Sequence, residues 1–267
     1  MKTINFSDLI VELNQLYPPH LAEEWDQVGV HFGNWESPTQ KIMTSLDIRP
    51  AVINEAIQKN IDTIIVHHPP IFKPIARFDY STADLVMYSQ IIKHDINIFA
   101  MHTNLDKAQN GMNDWLAQAL ELNHIEELHK SVDGLTGLGR IGELDQPLGK
   151  KDVLQYIKEQ LNAPHLKIIE KQDKESYQRI AIVGGASFES IDWAIDKQAD
   201  VFITGDITYH KGHDAYEQNI LTVDAGHYIE QVFKHKMKQI LDELAQEQEW
   251  AVEIIESEIN TNPYTYV

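Results

Sequence analysis

The sequence predicts an α/β protein of two similar halves whose strand ends face a shared cleft, and three observations support that prediction. Short β-branched apolar runs alternate with segments of helical period, the pattern of buried parallel strands joined by crossover helices. Several of these runs stop abruptly in histidine, aspartate or glycine. A thirteen-residue segment also recurs at a constant offset of 138 residues.

Taken in order, Phe6 to Leu16 has apolar residues at 6, 9, 10, 13 and 16, a helical period with Ser7 as its expected cap. Trp25-Asp26 leads into Val28-Gly29, a turn and a short strand, and Asp26 reads more readily as a turn former than as a site residue. Lys41 to Ile48 is a strand ending at Asp47, and Arg49 to Lys59, with Pro50 near its start, is a helix. Ile64, Ile65 and Val66 form the next strand. Pro69 and Pro70 cannot continue a ladder, so it stops at His67 and His68. Neighbouring strand residues point to opposite faces, so both imidazoles serve one site only if the backbone turns there or two metals sit side by side. Taken alone, the pair reads equally well as one packed and one surface histidine.

Ala83 to Lys93 is helical, and Ile96 to Ala100 is a strand that runs into Met101-His102-Thr103-Asn104-Leu105-Asp106. Asn113 to Leu122 is a helix. Asn123 to Lys150 is glycine-rich (Gly134, Gly137, Gly139, Gly142, Gly149) and reads as a hairpin or connector. The expected organisation is an amino-terminal half over 1–125, a connector over 126–150 and a carboxy-terminal half over 151–267, whose last strands can pack on the first half. Within that second half, Lys151 to Leu161 is a helix opened by Asp152. Arg179 to Val183 is a strand entering Gly184-Gly185-Ala186-Ser187. Ile191 to Lys197 is a helix, and Asp200 to Thr204 a strand ending in Gly205-Asp206. Tyr209, His210 and His213 follow, then a strand from Ile220 to Val223 that ends in Asp224-Ala225-Gly226-His227. Tyr228 to Gln246 is a long amphipathic helix, Trp250 to Ile255 a final strand, and the tail an edge or an arm.

The recurring segment is AIQKNIDTIIVHH, Ala56 to His68, against AIDKQADVFITGD, Ala194 to Asp206. Ala, Ile, Lys, Asp and Ile65/Ile203 are identical, and Ile42 and Ile180 fall in the same register. Helix–strand junctions share a composition, so the added weight is positional: both strands end in candidate site residues.

Composition narrows the function. Formal charge is −19, from 41 acidic and 22 basic side chains, without the clustered Lys and Arg that a nucleic-acid surface needs. Cysteine is absent, which removes disulfides, zinc-thiolate sites and a cysteine nucleophile. No apolar run approaches a membrane span and the amino terminus has no signal-peptide core, so a cytoplasmic protein is expected.

The candidate ligands are His67, His68, His102, Asp106, Asp206, His210, His213, His227 and Glu230. His227 and Glu230, three apart at a helix start, point to one side. Imidazole and carboxylate without thiolate suit zinc, iron, manganese, cobalt or nickel. Five or more ligands exceed one tetrahedral zinc, whereas two metals bridged by a carboxylate would use them.

In order along the chain, EEWDQVGV, SLDI, VHHPPIF, HTNLD, GDITYH and DAGHYIE resemble the signature stretches of the NIF-three-like dinuclear metal centre family, whose members are often labelled GTP cyclohydrolase 1 type 2 homologues. The resemblance covers nearly the whole chain. It implies two similar α/β halves and a toroidal homohexamer, a trimer of dimers, with two divalent metal ions per chain (zinc, iron or manganese). Carried over by position, the ligands are His67, His68, Asp106, His227 and Glu230, with Glu230 as bridge, while His102, Asp206 and His210 line the same cleft. Lacking a large insertion, this chain resembles the family's compact form. Ser187 stands where many members have glycine, and the His227–Glu230 spacing is one shorter than in some relatives. The implied activity is metal-dependent hydrolysis of a nucleotide or heterocyclic small molecule, with His102, Asp206 or His210 moving protons. The alternative is a non-catalytic metal-binding scaffold, or a regulatory or cofactor-assembly ring. A nucleic-acid or membrane partner is not expected.

Overall fold

Strands that are apolar on both faces must be covered on both, and in the computed structural model helices cover them. The structure describes residues 2–130 and 137–267, so Gly134 of the expected connector lies outside the described residues. In chain order the elements begin with β1 (Ile4–Asn5), α1 (Phe6–Leu16), β2 (Gly29–Phe32), β3 (Pro38–Thr39) and β4 (Lys41–Ser45). Next come α2 (Pro50–Gln58), β5 (Thr63–Val66), α3 (Ala83–Lys93), β6 (Asn97–Ala100), α4 (Thr103–Lys107) and α5 (Met112–Ala119). They continue with β7 (Asn123–Lys130), β8 (Gly137–Leu148), α6 (Lys150–Gln160), β9 (Lys167–Ile169), β10 (Tyr177–Ile182) and α7 (Ile191–Asp196). Last are β11 (Val201–Thr204), α8 (Tyr209–Tyr216), β12 (Leu221–Asp224), α9 (Val232–Glu247) and β13 (Glu253–Glu256).

The chain divides into two compact units. One reaches to Leu105 and includes Phe233–Pro263; the other runs from Asp106 to Val232 and includes Tyr264–Val267. The division therefore falls outside 126–150. Of the two readings of the glycine-rich stretch, the hairpin fits the described residues, where β7 pairs antiparallel with β8 and β8 with β10. Gly137, Gly139 and Gly142 serve close packing. A Cβ on Gly142 would lie 2.8 Å from the Asn123 carbonyl oxygen of the paired strand.

The first unit holds a five-stranded sheet in the order β13-β4-β5-β6-β2, parallel except for β2. Met43, Ile64, Val66, Ile98 and Ala100 pack on Val52, Ile53 and Ala56 of α2 and on Met87 and Ile91 of α3. The second unit holds a six-stranded sheet, β7-β8-β10-β11-β12-β9, whose three central strands are parallel. Among the described residues no helix is long and apolar enough to cross a membrane.

The sequence repeat has a physical basis in the two units. β4 pairs β5 with Ile42 opposite Thr63, and β10 pairs β11 with Ile180 opposite Val201, the same register 138 residues on. The shared aspartate explains the match. Asp62 Oδ2 accepts the backbone N–H groups of Gln40 and Lys41 at 2.9 and 2.8 Å. Asp200 Oδ2 accepts those of Gln178 and Arg179, both at 3.0 Å. Each carboxylate thus pins the start of the neighbouring strand. The preceding helices end alike, on the left-handed residues Asn60 (φ 54°) and Gln198 (φ 57°). The shared alanines accept the closing bonds, Ile61 N to Ala56 O and Ala199 N to Ala194 O.

Three local expectations change. Asn5, not Ser7, caps α1, its own N–H donating to Asp8 Oδ2 at 2.8 Å, because the helix begins one residue before Ser7. The long terminal helix starts only at Val232, since a 3-10 turn occupies His227–Gln231. The tail beyond β13 forms no strand; Thr261 instead donates its hydroxyl to Asp47.

Asp62→Ala and Asp200→Ala should each destabilise the protein by roughly 1–3 kcal/mol, the cost of stranding backbone donors that bond a charged group. Urea unfolding at neutral pH checks this, and wild-type midpoints in both variants would contradict the role assigned to the shared aspartate.

Candidate metal centre

Open α/β sheets carry their ligands at the carboxyl ends of parallel strands, and in the first unit two adjacent strands end in histidine. Backbone bonding runs two residues past β5, with His67 N donating to Ser45 O and His68 N to Leu46 O, and the backbone bends at these two residues. That bend satisfies the condition for a shared site: the two rings lie 4.8 Å apart, centroid to centroid. β6 delivers His102, whose ring is 5.2 Å from His67 and 5.6 Å from His68. One nitrogen from each of the three rings falls within a 4.8 Å cluster.

Each ring is held through Nδ1. His67 Nδ1 donates to the Met101 carbonyl at 2.8 Å, in full burial. His68 Nδ1 donates to Asp47 Oδ1 at 2.7 Å, and His102 Nδ1 to Asp26 Oδ1 at 2.9 Å. A carbonyl or carboxylate oxygen can only accept, so in the neutral rings the proton sits on Nδ1 and Nε2 carries the lone pair. Burial pushes the Asp47 carboxyl up, but hydrogen bonds from His68 and Thr261 outweigh it and hold the group below the usual range. Asp26 follows the same logic more strongly. Burial raises it, while His102 and Thr103 bring it down to about 2. Its Oδ2 also accepts Thr103 N and Oγ1 at 3.0 and 2.5 Å. Asp26 therefore anchors His102 as well as closing the turn that begins at Glu23.

The second unit assembles a complementary set. The 3-10 turn after β12 stacks residues three apart, so His227 Nε2 lies 3.2 Å from Glu230 Oε2. His227 Nδ1 donates to Asp206 Oδ2 at 2.8 Å. Asp206 follows β11 in the left-handed region (φ 54°) and acts here through His227. A carboxylate oxygen of Asp106 lies within 4.8 Å of one of buried Glu230, so Glu230 adjoins both His227 and Asp106.

Asn113, which the sequence did not single out, and Gly184 hold this set together. Buried Asn113 on α5 donates Nδ2 to the Asp106 carbonyl at 2.9 Å and accepts Gly184 N at 2.9 Å. Gly184 in turn lies against Glu230: a Cβ there would stand 2.7 Å from Oε1. Ser187 is absorbed by its own loop, Oγ donating to Gly184 O and N to Thr204 Oγ1. His210 stands differently. It is exposed on α8 with its ring against Tyr209, and among the described residues it joins no cluster of metal-competent donors.

The donor sets fit divalent metal ions. His227 Nε2 and Glu230 Oε2 lie 3.2 Å apart, an ion pair when the ring is protonated and two donors to one cation when its only proton is on Nδ1. The neighbouring carboxylates of Asp106 and Glu230 offer oxygens that one cation can share. Imidazoles backed by carboxylate or carbonyl acceptors are the usual outer support of metal-binding histidines.

Comparison with known proteins agrees with this architecture. The family model Duf34/NIF3 (NGG1p interacting factor 3) matches residues 4–263. A Streptococcus pneumoniae protein called GTP cyclohydrolase 1 type 2 homolog is 34% identical over 264 residues, 98% of this chain and 99% of the relative. A Listeria monocytogenes protein of the same name is 28% identical across all of both chains in a 373-position alignment, longer than this 267-residue chain, as expected for a compact form. Among solved structures, a Staphylococcus aureus hypothetical protein matches with TM-score 0.94 and 30% identity, and a Bacillus cereus protein related to NIF3 with TM-score 0.94 and 26% identity. Both structures are covered completely, as is this chain.

Asp26 is ionised in the folded state at a pH where its unfolded carboxyl, near about 3.9, is protonated. Its stabilisation is complete above that unfolded value and is lost as pH falls through the folded value of about 2. The stability gap between wild type and Asp26→Asn, measured by urea unfolding, should narrow from about pH 5 downward. A gap independent of pH would contradict the anchor.

Proposed function

The chain belongs to the Duf34/NIF3 family, and from that premise we propose that it is a dinuclear divalent-metal protein that hydrolyses a nucleotide or heterocyclic small molecule. The observation that carries this reading is the shared orientation of His67, His68, His102 and His227, each with Nδ1 bonded to an oxygen and Nε2 left as the lone-pair donor. His67, His68, Asp106, His227 and Glu230 would hold two ions, with Glu230 as the shared ligand. Divalent ions held there would supply Lewis acidity, polarising a substrate oxygen and lowering the pKa of water toward neutrality.

The remaining side chains act around that pair. His102, with ionised Asp26 behind it, can take up and return a proton at Nε2 while Nδ1 stays bonded. Asp206 fixes the ring of His227, and Asp47 that of His68. His210, exposed beside Tyr209, has no part in this reading.

Elemental analysis of protein purified without added metal should find about two equivalents per chain, the count that a two-metal site requires. His68→Ala and Glu230→Ala should each lose metal while keeping a cooperative unfolding transition. Metal-loaded wild type should then hydrolyse at least one member of a nucleotide and heterocycle panel. No stoichiometric metal after anaerobic reconstitution would overturn the centre; full metal without turnover would favour the scaffold.

A further inference from the structure

We propose that Trp25 and Phe72 form an aromatic subsite beside His102 that stacks a planar heterocyclic ring of the substrate. The inference rests on the hydrolytic reading above and names its substrate class by the feature recognised, a flat π-faced ring. Both side chains approach the same imidazole. Trp25 meets His102 at 6.1 Å between centroids with an interplanar angle of 76°, and Phe72 at 5.7 Å with 84°.

Both keep about half of their surface in solvent, Trp25 60% and Phe72 46% exposed. Two large aromatics that leave surface in solvent while converging on one histidine offer an apolar face for a ligand to cover.

Neither side chain is on a loose loop. Trp25 lies in the turn Glu23–Asp26, closed by Asp26 N donating to Glu23 O at 3.0 Å. The ends of that turn are fastened to the residue after His102: Glu23 N donates to Thr103 Oγ1 at 2.9 Å, and Asp26 accepts from Thr103 N and Oγ1. Phe72 follows Pro69-Pro70, whose second carbonyl accepts the Tyr88 hydroxyl at 2.5 Å. Ile71 packs inward against the sheet core, which leaves Phe72 to face outward. The same bonds that hold His102 thus hold Trp25, so a ring seated there is indexed to the reacting groups.

Stacking is the chemistry such a site offers. An aromatic face stacks on any flat heterocycle and offers nothing comparable to an aliphatic acid. Trp25 and Phe72 would then set affinity for the ring, while the metal ligands set the chemistry.

The test is isothermal titration of metal-loaded protein with adenosine, guanosine, cytidine and a pterin, with ribose as the non-aromatic control and metal content measured for every sample. At least one heterocycle should bind while ribose does not. Trp25→Ala and Phe72→Ala should each weaken that binding about tenfold or more with metal content unchanged, and Trp25→Phe should restore most of it. Equal affinity in the alanine variants, or no heterocycle bound by wild type, overturns the subsite. If metal is absent but both variants still weaken binding, the subsite stands and the dinuclear reading falls.

Discussion

A neutral imidazole has one proton and one lone pair, so the group that accepts the proton decides which nitrogen can bind an ion. Four histidines in this protein meet that constraint in the same sense. A main-chain carbonyl takes the proton of His67, and Asp47, Asp26 and Asp206 take those of His68, His102 and His227. Reversing any one of these bonds would present an N–H where a donor pair is needed. The acidic residues of the two donor sets thus divide into two kinds: those that orient histidines, and Asp106 and Glu230, which meet each other.

The fold supplies these acceptors because parallel strands end together. His67 and His68 follow β5, His102 follows β6 and Asp47 lies just beyond β4, so neighbours in one sheet share an edge. In the second unit Gly184 follows β10, Asp206 follows β11 and His227 follows β12, again adjacent strands of one sheet. The conserved register of β4–β5 and β10–β11 shows why the arrangement recurs. Asp62 and Asp200 fasten the amino ends of the strands, which leaves the carboxyl ends to carry chemistry.

Much of this was legible in the sequence because the signals were local. Apolar runs ending in His-His-Pro-Pro or Gly-Asp mark strand ends, and the 138-residue offset marks equivalent β-α-β units. The supporting residues were less legible because their partners are remote in the chain. Asp47 and His68 are 21 residues apart, and Asp26 and His102 are 76 apart. Asp26 also sits beside a turn, where aspartate has an ordinary local use. Asn113 was hidden in a helix whose period alone explained it. The polar strand β7 was legible only as one arm of a hairpin or as a connector, and the three-residue strand β9 escaped, because edge position rather than apolar content stabilises both.

The central claim is that Nε2 is the donor nitrogen of all four histidines, and long-range proton–nitrogen NMR of the imidazoles tests it most directly. In metal-free protein near neutral pH, His67, His68, His102 and His227 should show protonated Nδ1 and unprotonated Nε2. Adding zinc should then shift the Nε2 resonances of His67, His68 and His227 and leave their Nδ1 protons in place. Protonated Nε2 in these rings, or zinc binding through Nδ1, would contradict the account.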